Sequence, residues 1–179
     1  RFFLGDNYRS EWTTPVKVPY LDMKTEAGGL SPISKAGGNQ TVALTLLSED
    51  SIQYNLRGLK KKYPNITPDQ EINSFSQDPI KNQISTSHPY GALAVPKMAE
   101  ALNLFHTDPE IFYTTFTNLL GPYIDDFGVA LSFLEIKPSD DLSEFKSFGY
   151  SENVVTTRTL FRELEVGSKN IVDSKMFLK

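Results

Sequence analysis

The chain has no cysteine and no excess of positive charge, and each absence removes a class of function. Without cysteine it can form no disulfide and no thiolate site, although this does not indicate a compartment, because many periplasmic proteins also lack cysteine. A net charge of -4 provides no basic footprint for nucleic acid, and Lys60-Lys61-Lys62 is the only dense basic run. No apolar stretch approaches the ~18 residues that a membrane span requires.

Familiar catalytic motifs are also missing. The nearest approach to a phosphate-binding loop starts at Gly29, and it has Ser34 where that motif requires glycine. A Gly-x-Ser-x-Gly nucleophile elbow is absent. The two histidines, His88 and His106, each lie beside a turn, and the paired aspartates fit helix caps or loops better than a metal centre. We therefore predict no catalytic residue, no metal and no cofactor in this chain.

The chain length and the positions of proline and glycine predict how the chain is organised. A chain of 179 residues fits one domain that buries roughly 70% of its unfolded surface. Three prolines and a Gly-Gly pair oppose long regular elements in residues 1–35, so we predict an extended N-terminal segment there. Alternation at Val16, Val18 and Tyr20 favours an edge strand or a segment lying along another surface. Residues 36–179 then form a single domain, truncated at its C-terminal end.

The remaining pattern predicts an α+β fold, with a small antiparallel sheet and packed helices. Predicted strands are a hairpin over 40–58, with its reversal at Glu49-Asp50, then Ile111–Phe116 and a buried Val129–Ile136 with Leu131 at the centre of the core. Three helices are predicted. The first begins at Pro79 and has Ile80 and Ile84 on one face, and the second runs from Pro96 to Asn103 with Met98, Ala101 and Leu102 inside. The third is capped by Thr156 or Thr157 and ends at Gly167.

The hairpin carries the candidate binding residues. Gly37, Gly38, Asn39 and Gln40 form a glycine turn that enters the first strand, and Arg57 lies on the second. Unpaired N–H groups of such a loop form a concavity for an anion, and the guanidinium of Arg57 offers a fixed fork of donors to the same space. We therefore predict phosphate or nucleotide binding here. The open alternative is an ordinary glycine-rich hairpin with a surface arginine.

The two ends suggest that the chain is an excised piece of something longer. It opens on Arg1 without a methionine or a signal segment. Near the other end, Asp173 fits a helix N-cap, with Met176 and Phe177 as the first apolar residues of that helix. A helix of about one turn is an unusual natural terminus, so we expect it to continue beyond Lys179.

Several short motifs occur together in a familiar order, from about Tyr8 to Leu178. They are Tyr8–Val16, Gly29–Pro32, Gly37–Thr41, Gln83–Tyr90, Ala94–Pro96 and Leu134–Pro138. This order resembles a region of large envelope proteins of the Bacteroidota. In that family the region lies between a calcineurin-like metallophosphoesterase domain and an outer-membrane barrel of the BamA type.

The resemblance also implies a kinase-like arrangement. In the family, the helix expected near Val172 continues into an Asp-Arg-His segment similar to the catalytic loop of atypical kinases. The hairpin, helix and two later strands then resemble a protein-kinase N-lobe, with Glu135–Pro138 as its hinge. This chain departs from that pattern: Arg57 replaces the usual lysine, Asn82 stands where relatives tend to carry an acid, and the Asp-Arg-His loop is absent.

Two functions therefore compete. In the first, the chain is a non-catalytic structural or interaction module of an outer-membrane-associated protein in the cell envelope. Its partners are other envelope proteins or the linked barrel and phosphoesterase domains. In the second, it is the nucleotide-binding half of an atypical kinase-like phosphotransferase, or part of a parent protein that acts as a metallophosphoesterase. We expect the chain alone not to be an enzyme, on either side of the outer membrane.

Overall fold

The computed structural model describes residues 7–36, 41–59, 87–165 and 177–178, which contain nine strands. Their bounds are β1 Leu30–Ala36, β2 Ala43–Ser48, β3 Gln53–Gly58, β4 Phe105–His106, β5 Glu110–Thr114, β6 Ala130–Ile136, β7 Asp140–Leu142, β8 Ser151–Val154 and β9 Phe177–Leu178. A five-stranded sheet has the order β1-β2-β3-β6-β5, with every neighbouring pair antiparallel. Two small sheets pair β4 with β9 and β7 with β8.

Short helices connect these strands. The α-helices are α1 Arg9–Thr13, α2 Val95–Ala101, α3 Ile124–Phe127 and α4 Thr157–Glu165, and the 3-10 segments are Glu26–Gly28, Gly91–Leu93, Asn118–Tyr123 and Lys146–Phe148. The predicted α+β class with an antiparallel sheet is therefore confirmed. Within the described part of the chain, none of the helices has the length and apolar character needed to cross a membrane.

The predicted hairpin over 40–58 is present as β2 and β3. Its turn is tight: the backbone N–H of Ile52 donates to the Ser48 hydroxyl, and Ser51 has a positive φ of 64°. Val42, Leu44 and Leu46 share one face as predicted, because side chains two apart on a strand point the same way. Leu44 and Leu46 are completely buried, so this face forms part of the core.

The core lies on that one face of the five-stranded sheet. Residues 21–27 and 118–127 cover it. The buried cluster consists of Leu21, Met23, Leu30, Leu44, Leu46, Leu56, Phe112, Leu120, Phe127 and Leu134. β6 confirms the predicted strand at Val129–Ile136 and lies inside the sheet, between β3 and β5. Leu131, however, is only half-buried and points to the opposite face, so its predicted place at the centre of the core is wrong.

The N-terminal segment touches both edges of the sheet. Tyr20 forms a parallel bridge with Tyr113 of β5, where the Tyr113 N–H donates to the Pro19 carbonyl over 2.8 Å. The chain then crosses the core face, and the Leu30 N–H at the start of β1 donates to the Met23 carbonyl. The segment therefore lies along another surface, as the alternation of Val16, Val18 and Tyr20 predicted.

Two parts of residues 1–35 differ from the predicted irregular, extended conformation. Residues 9–13 form α1, and residues 30–36 are β1, a full strand of the main sheet. Pro32 is tolerated because β1 is an edge strand with an irregular register between Pro32 and Ser34, where a missing N–H costs no ladder bond. Proline content therefore led us to underestimate this strand.

The predicted helix ends agree with the structure better than the predicted helix faces. Pro96 lies in the first turn of α2, and Asn103 follows the helix with a left-handed φ of 54°. Ala99 is completely buried, whereas Met98 and Leu102 are 61% and 67% exposed, so α2 turns a different face to the core than predicted. At α4, the N–H of Thr159 donates to the Thr156 hydroxyl over 3.3 Å, which identifies the cap.

The C-terminal prediction is wrong for the two residues described there. Phe177 and Leu178 form β9, which pairs in parallel with Phe105 and His106 of β4, whereas the sequence predicted a helix. Strand pairing satisfies backbone groups that a single helical turn would leave open. Several predictions lie outside the described residues: the glycine run 37–40, Lys60–Lys62, the helix with Ile80 and Ile84, Asn82, Asp173 and Gly167.

Candidate functional site

The face of the sheet opposite the leucine core is polar. Thr45 on β2, Asn55 on β3 and Glu135 on β6 lie directly opposite one another in the strand register. All three are buried, with at most 9% of their surface exposed. Partners opposite each other share a face of the sheet, so a polar row crosses three strands. Buried polar groups need partners, which makes this row the natural place to look for function.

Arg57, two residues along β3 from Asn55, forms an ion pair with Glu135 of this row. Their Nε and Oε1 atoms are 2.9 Å apart, and the Glu135 side chain is 0% exposed while that of Arg57 is 31% exposed. The Thr107 hydroxyl donates to the second carboxylate oxygen, Oε2, over 2.8 Å. The distance establishes the ion pair, yet Arg57 Nε and Glu135 Oε1 lack the alignment of a hydrogen bond. The carboxylate therefore holds Arg57 chiefly by charge at close range.

A cleft of about 180 Å³ opens above Arg57. Thr41, Gly58 and Phe133 line it from the strand side, and Trp12 and His88 line the other side. Pockets for drug-sized ligands are larger, at ~300–1,000 Å³. This cleft is large enough for a small chemical group.

The side of the cleft formed by Trp12 and His88, its outer wall, is held in place by residues from distant parts of the sequence. The Trp12 indole N–H of α1 donates to the Ser87 carbonyl over 3.0 Å. The His88 ring lies edge-on to the Tyr8 ring, with 4.9 Å between their centroids. His88 Nδ1 accepts the backbone N–H of Tyr90 over 3.1 Å, so the neutral ring carries its hydrogen on Nε2. His88 thus has a donor nitrogen.

Glu11 adds negative charge beside this wall. The Ser10 hydroxyl donates to its carboxylate over 2.6 Å. That hydrogen bond, with the backbone N–H of Glu11 and the nearby His88, lowers the pKa of the Glu11 carboxyl below its ordinary value. Glu11 is therefore ionised near neutral pH, on the rim of α1.

A second, wider groove of about 600 Å³ adjoins the cleft. Its aromatic lining is Trp12, Tyr20, Tyr90 and Tyr113, and the other lining residues are Thr14, Pro15, Val16, Lys17, Val18 and Leu131. Tyr20 and Tyr113 stand edge to face, 5.7 Å apart. Tyr20 is 71% exposed, so its ring is accessible to a partner. Trp12 lines both cavities, so the cleft and the groove meet at this side chain.

The structure locates only one of the predicted site residues. Arg57 lies on β3 as expected, whereas Gly37, Gly38, Asn39 and Gln40 are outside the described residues. Sequence reasoning missed the buried partner of Arg57, although a signal was available. Glu135 interrupts an otherwise apolar strand, and a charge in such a strand needs a partner.

The histidines do not combine into a metal centre. His106 contacts the Leu104 carbonyl through Nδ1 over 3.0 Å, which is local turn chemistry. Across the residues that the structure describes, no three His, Asp or Glu side chains converge as metal ligands. No known protein family, curated protein or solved structure matches the chain. The envelope-protein and kinase N-lobe resemblances therefore stay predictions.

Proposed function

We propose that this chain is a non-catalytic interaction module of an outer-membrane-associated protein of the cell envelope. The observation that carries this proposal is the groove lined by Trp12, Tyr20, Tyr90 and Tyr113. Tyrosine and tryptophan provide large contact areas at low entropic cost, and they are enriched where proteins bind one another. The sequence resemblance supplies the setting: other envelope proteins, or barrel and phosphoesterase domains in the same polypeptide.

The N-terminal segment supports a docking role. It forms one wall of the groove, which is held at one end by the hydrogen bond from the Trp12 indole to the Ser87 carbonyl and at the other by backbone hydrogen bonds of Pro19 and Leu21 with Tyr113. A groove wall fixed at both ends is preorganised, and preorganisation reduces the ordering cost of binding. We infer that an extended segment of the partner lies along residues 15–20.

A photo-crosslinking amino acid at position 20, in the parent protein in its native cells, tests this proposal. We expect crosslinks to a protein or linked domain of the outer-membrane fraction. Tyr150 is a matched control, because it is also an exposed tyrosine, at 60%, and lies outside the groove. Equal crosslinking at the two positions, or crosslinks only to cytoplasmic proteins, would contradict the proposal.

The second candidate is the nucleotide-binding half of a kinase-like protein. It is favoured by one observation: a cation on the third strand of a five-stranded antiparallel sheet, paired with an acid and lining a cleft. In this alternative Arg57 holds phosphate groups of ATP, as a cation does in phosphoryl-transfer enzymes. A thermal shift with ATP and magnesium that disappears in Arg57→Ala supports this candidate. The absence of any shift removes it.

A further inference from the structure

We propose that the cleft above Arg57 is a binding site for a single phosphate group. The Glu135 carboxylate acts as a positioning group beneath it. The inference does not depend on the docking role of the aromatic groove. It names only a phosphate group, whereas the kinase-like alternative requires ATP, and the cleft of about 180 Å³ has room for a phosphate group.

The donors of the cleft suit a tetrahedral anion. Arg57 provides a guanidinium, His88 provides the Nε2–H that its hydrogen bond with Tyr90 selects, and Thr41 provides a hydroxyl. These donors come from three separate places in the chain and line a common space. A phosphate has oxygens pointing in four directions, whereas a carboxylate has two in one plane. Three donors around a small cleft therefore favour phosphate.

Burial of Arg57 Nε determines which atoms can reach a ligand. Nε is inaccessible to solvent and lies against Glu135, while 31% of the side chain is exposed. The exposed part therefore belongs to other atoms of Arg57. Glu135 is fully buried and cannot touch a ligand in the cleft. The Thr107 hydroxyl binds the far oxygen of the carboxylate, so the acid stays in place beside the guanidinium and keeps it close by charge.

Fixing an arginine in advance strengthens its use as an anion donor. A free arginine side chain loses rotamer freedom when it binds, and one already held by an ion pair loses less. The neighbouring carboxylate also lowers the net charge, so affinity for phosphate is moderate and falls with salt. The site therefore recognises phosphate more by the positions of its donors than by its net positive charge.

Binding of inorganic phosphate to the whole chain tests the proposal, by calorimetry at constant ionic strength. We expect saturable binding, with acetate at least about tenfold weaker. The double variant Arg57→Met/Glu135→Gln should weaken phosphate binding about tenfold or more while leaving no buried charge unpaired. Its fold is checked by circular dichroism.

Lys146→Ala is the control, because it removes one exposed cation outside the cleft and should leave phosphate affinity unchanged. Thr107→Val tests positioning: it touches Glu135 and not the cleft, so it should weaken phosphate binding about two- to fivefold. No saturable binding, equal binding of acetate, or unchanged affinity in the folded double variant would each overturn the proposal. None of these results affects the crosslinking test of the groove.

Discussion

Arg57 Nε and Glu135 Oε1 lie 2.9 Å apart on neighbouring strands, with the carboxylate fully buried and the Arg57 side chain 31% exposed. Removing the cation alone leaves a buried negative charge. Breaking such a pair costs about 3–5 kcal/mol when both groups are buried, and partial exposure of Arg57 reduces the expected loss for Arg57→Met to about 2–3 kcal/mol. Urea unfolding of Arg57→Met measures this loss of unfolding free energy.

The double variant Arg57→Met/Glu135→Gln should recover at least half of that loss, since no unpaired charge remains. A double-mutant cycle with Arg57→Met and Glu135→Gln therefore gives a coupling energy well above ~0.5 kcal/mol. Simple additivity of the two single variants would show that the ion pair contributes nothing.

Leu56 and Leu131 distinguish the two faces of the sheet. Leu56 is completely buried in the leucine core, so Leu56→Ala should cost about 2–5 kcal/mol of unfolding free energy. Leu131 is half-buried in the groove, and Leu131→Ala should cost only about 1 kcal/mol. Denaturant titration of both variants measures the difference. A larger loss at Leu131 would restore the central position that its strand pattern predicted.

Gly149 and Gly28 form a matched pair of glycines. Both have a positive φ, 68° and 76°, so alanine is strained at either position by roughly 1–2 kcal/mol. A Cβ at Gly149 also meets the ring of Phe105, whereas a Cβ at Gly28 meets nothing within 4 Å. Gly149→Ala should therefore lower the melting temperature more than Gly28→Ala. Equal losses would mean that the Phe105 ring moves aside freely.

Ionisation of the Tyr54 hydroxyl should lower the stability of the folded chain in alkali. Burial raises the pKa of its hydroxyl above the ordinary value, with further contributions from Glu26, Asp50 and Glu110. The unfolded chain then loses this proton at about pH 10 while the folded chain keeps it. The stabilisation is complete below pH 10 and disappears as pH rises toward the folded pKa.

The unfolding free energy of Tyr54→Phe should therefore fall less steeply above pH 10 than that of the unsubstituted chain. Tyr20→Phe, an exposed position, is the control and should follow the parent curve. Parallel curves for Tyr54→Phe and the parent chain would contradict the assignment.

Purified residues 1–179 should not turn over ATP or a generic phosphate ester. Phosphoryl transfer requires a metal-binding acid and a group that positions the nucleophile, in addition to a cation. Colourimetric phosphate release over hours checks this expectation. Turnover that is lost in Arg57→Ala and kept in Lys146→Ala would establish an enzyme.

Much of the fold was predictable because local rules and tertiary packing agreed. The β2–β3 hairpin, β6, the helix end at Asn103 and the helix start at Thr156 follow from alternation, apolar runs and capping. Prediction failed where partners distant in sequence decide the structure. β1 forms despite Pro32 because it lies at an edge, and Phe177 forms a strand because β4 is available.

The candidate site was less predictable. Arg57 was identifiable as a strand cation, but its meaning depends on Glu135, which is 78 positions later (135 minus 57). Trp12 and His88 come together only because α1 packs against residues near Ser87. Such convergence depends on strand order and on the route of the N-terminal segment. Neither follows from local pattern.

The bridge between Tyr20 and Tyr113 also restricts the order in which a ribosome can deliver a folded domain. Residues 19–21 emerge early, yet their hydrogen-bonding partner on β5 is synthesised more than ninety residues later, and β5 itself pairs with β6. Closing so long a loop costs chain entropy, and this cost is offset only when the sheet with which the segment pairs has formed. Although synthesised before β5, this segment docks late, and a nascent chain stalled before β6 should leave it open to protease.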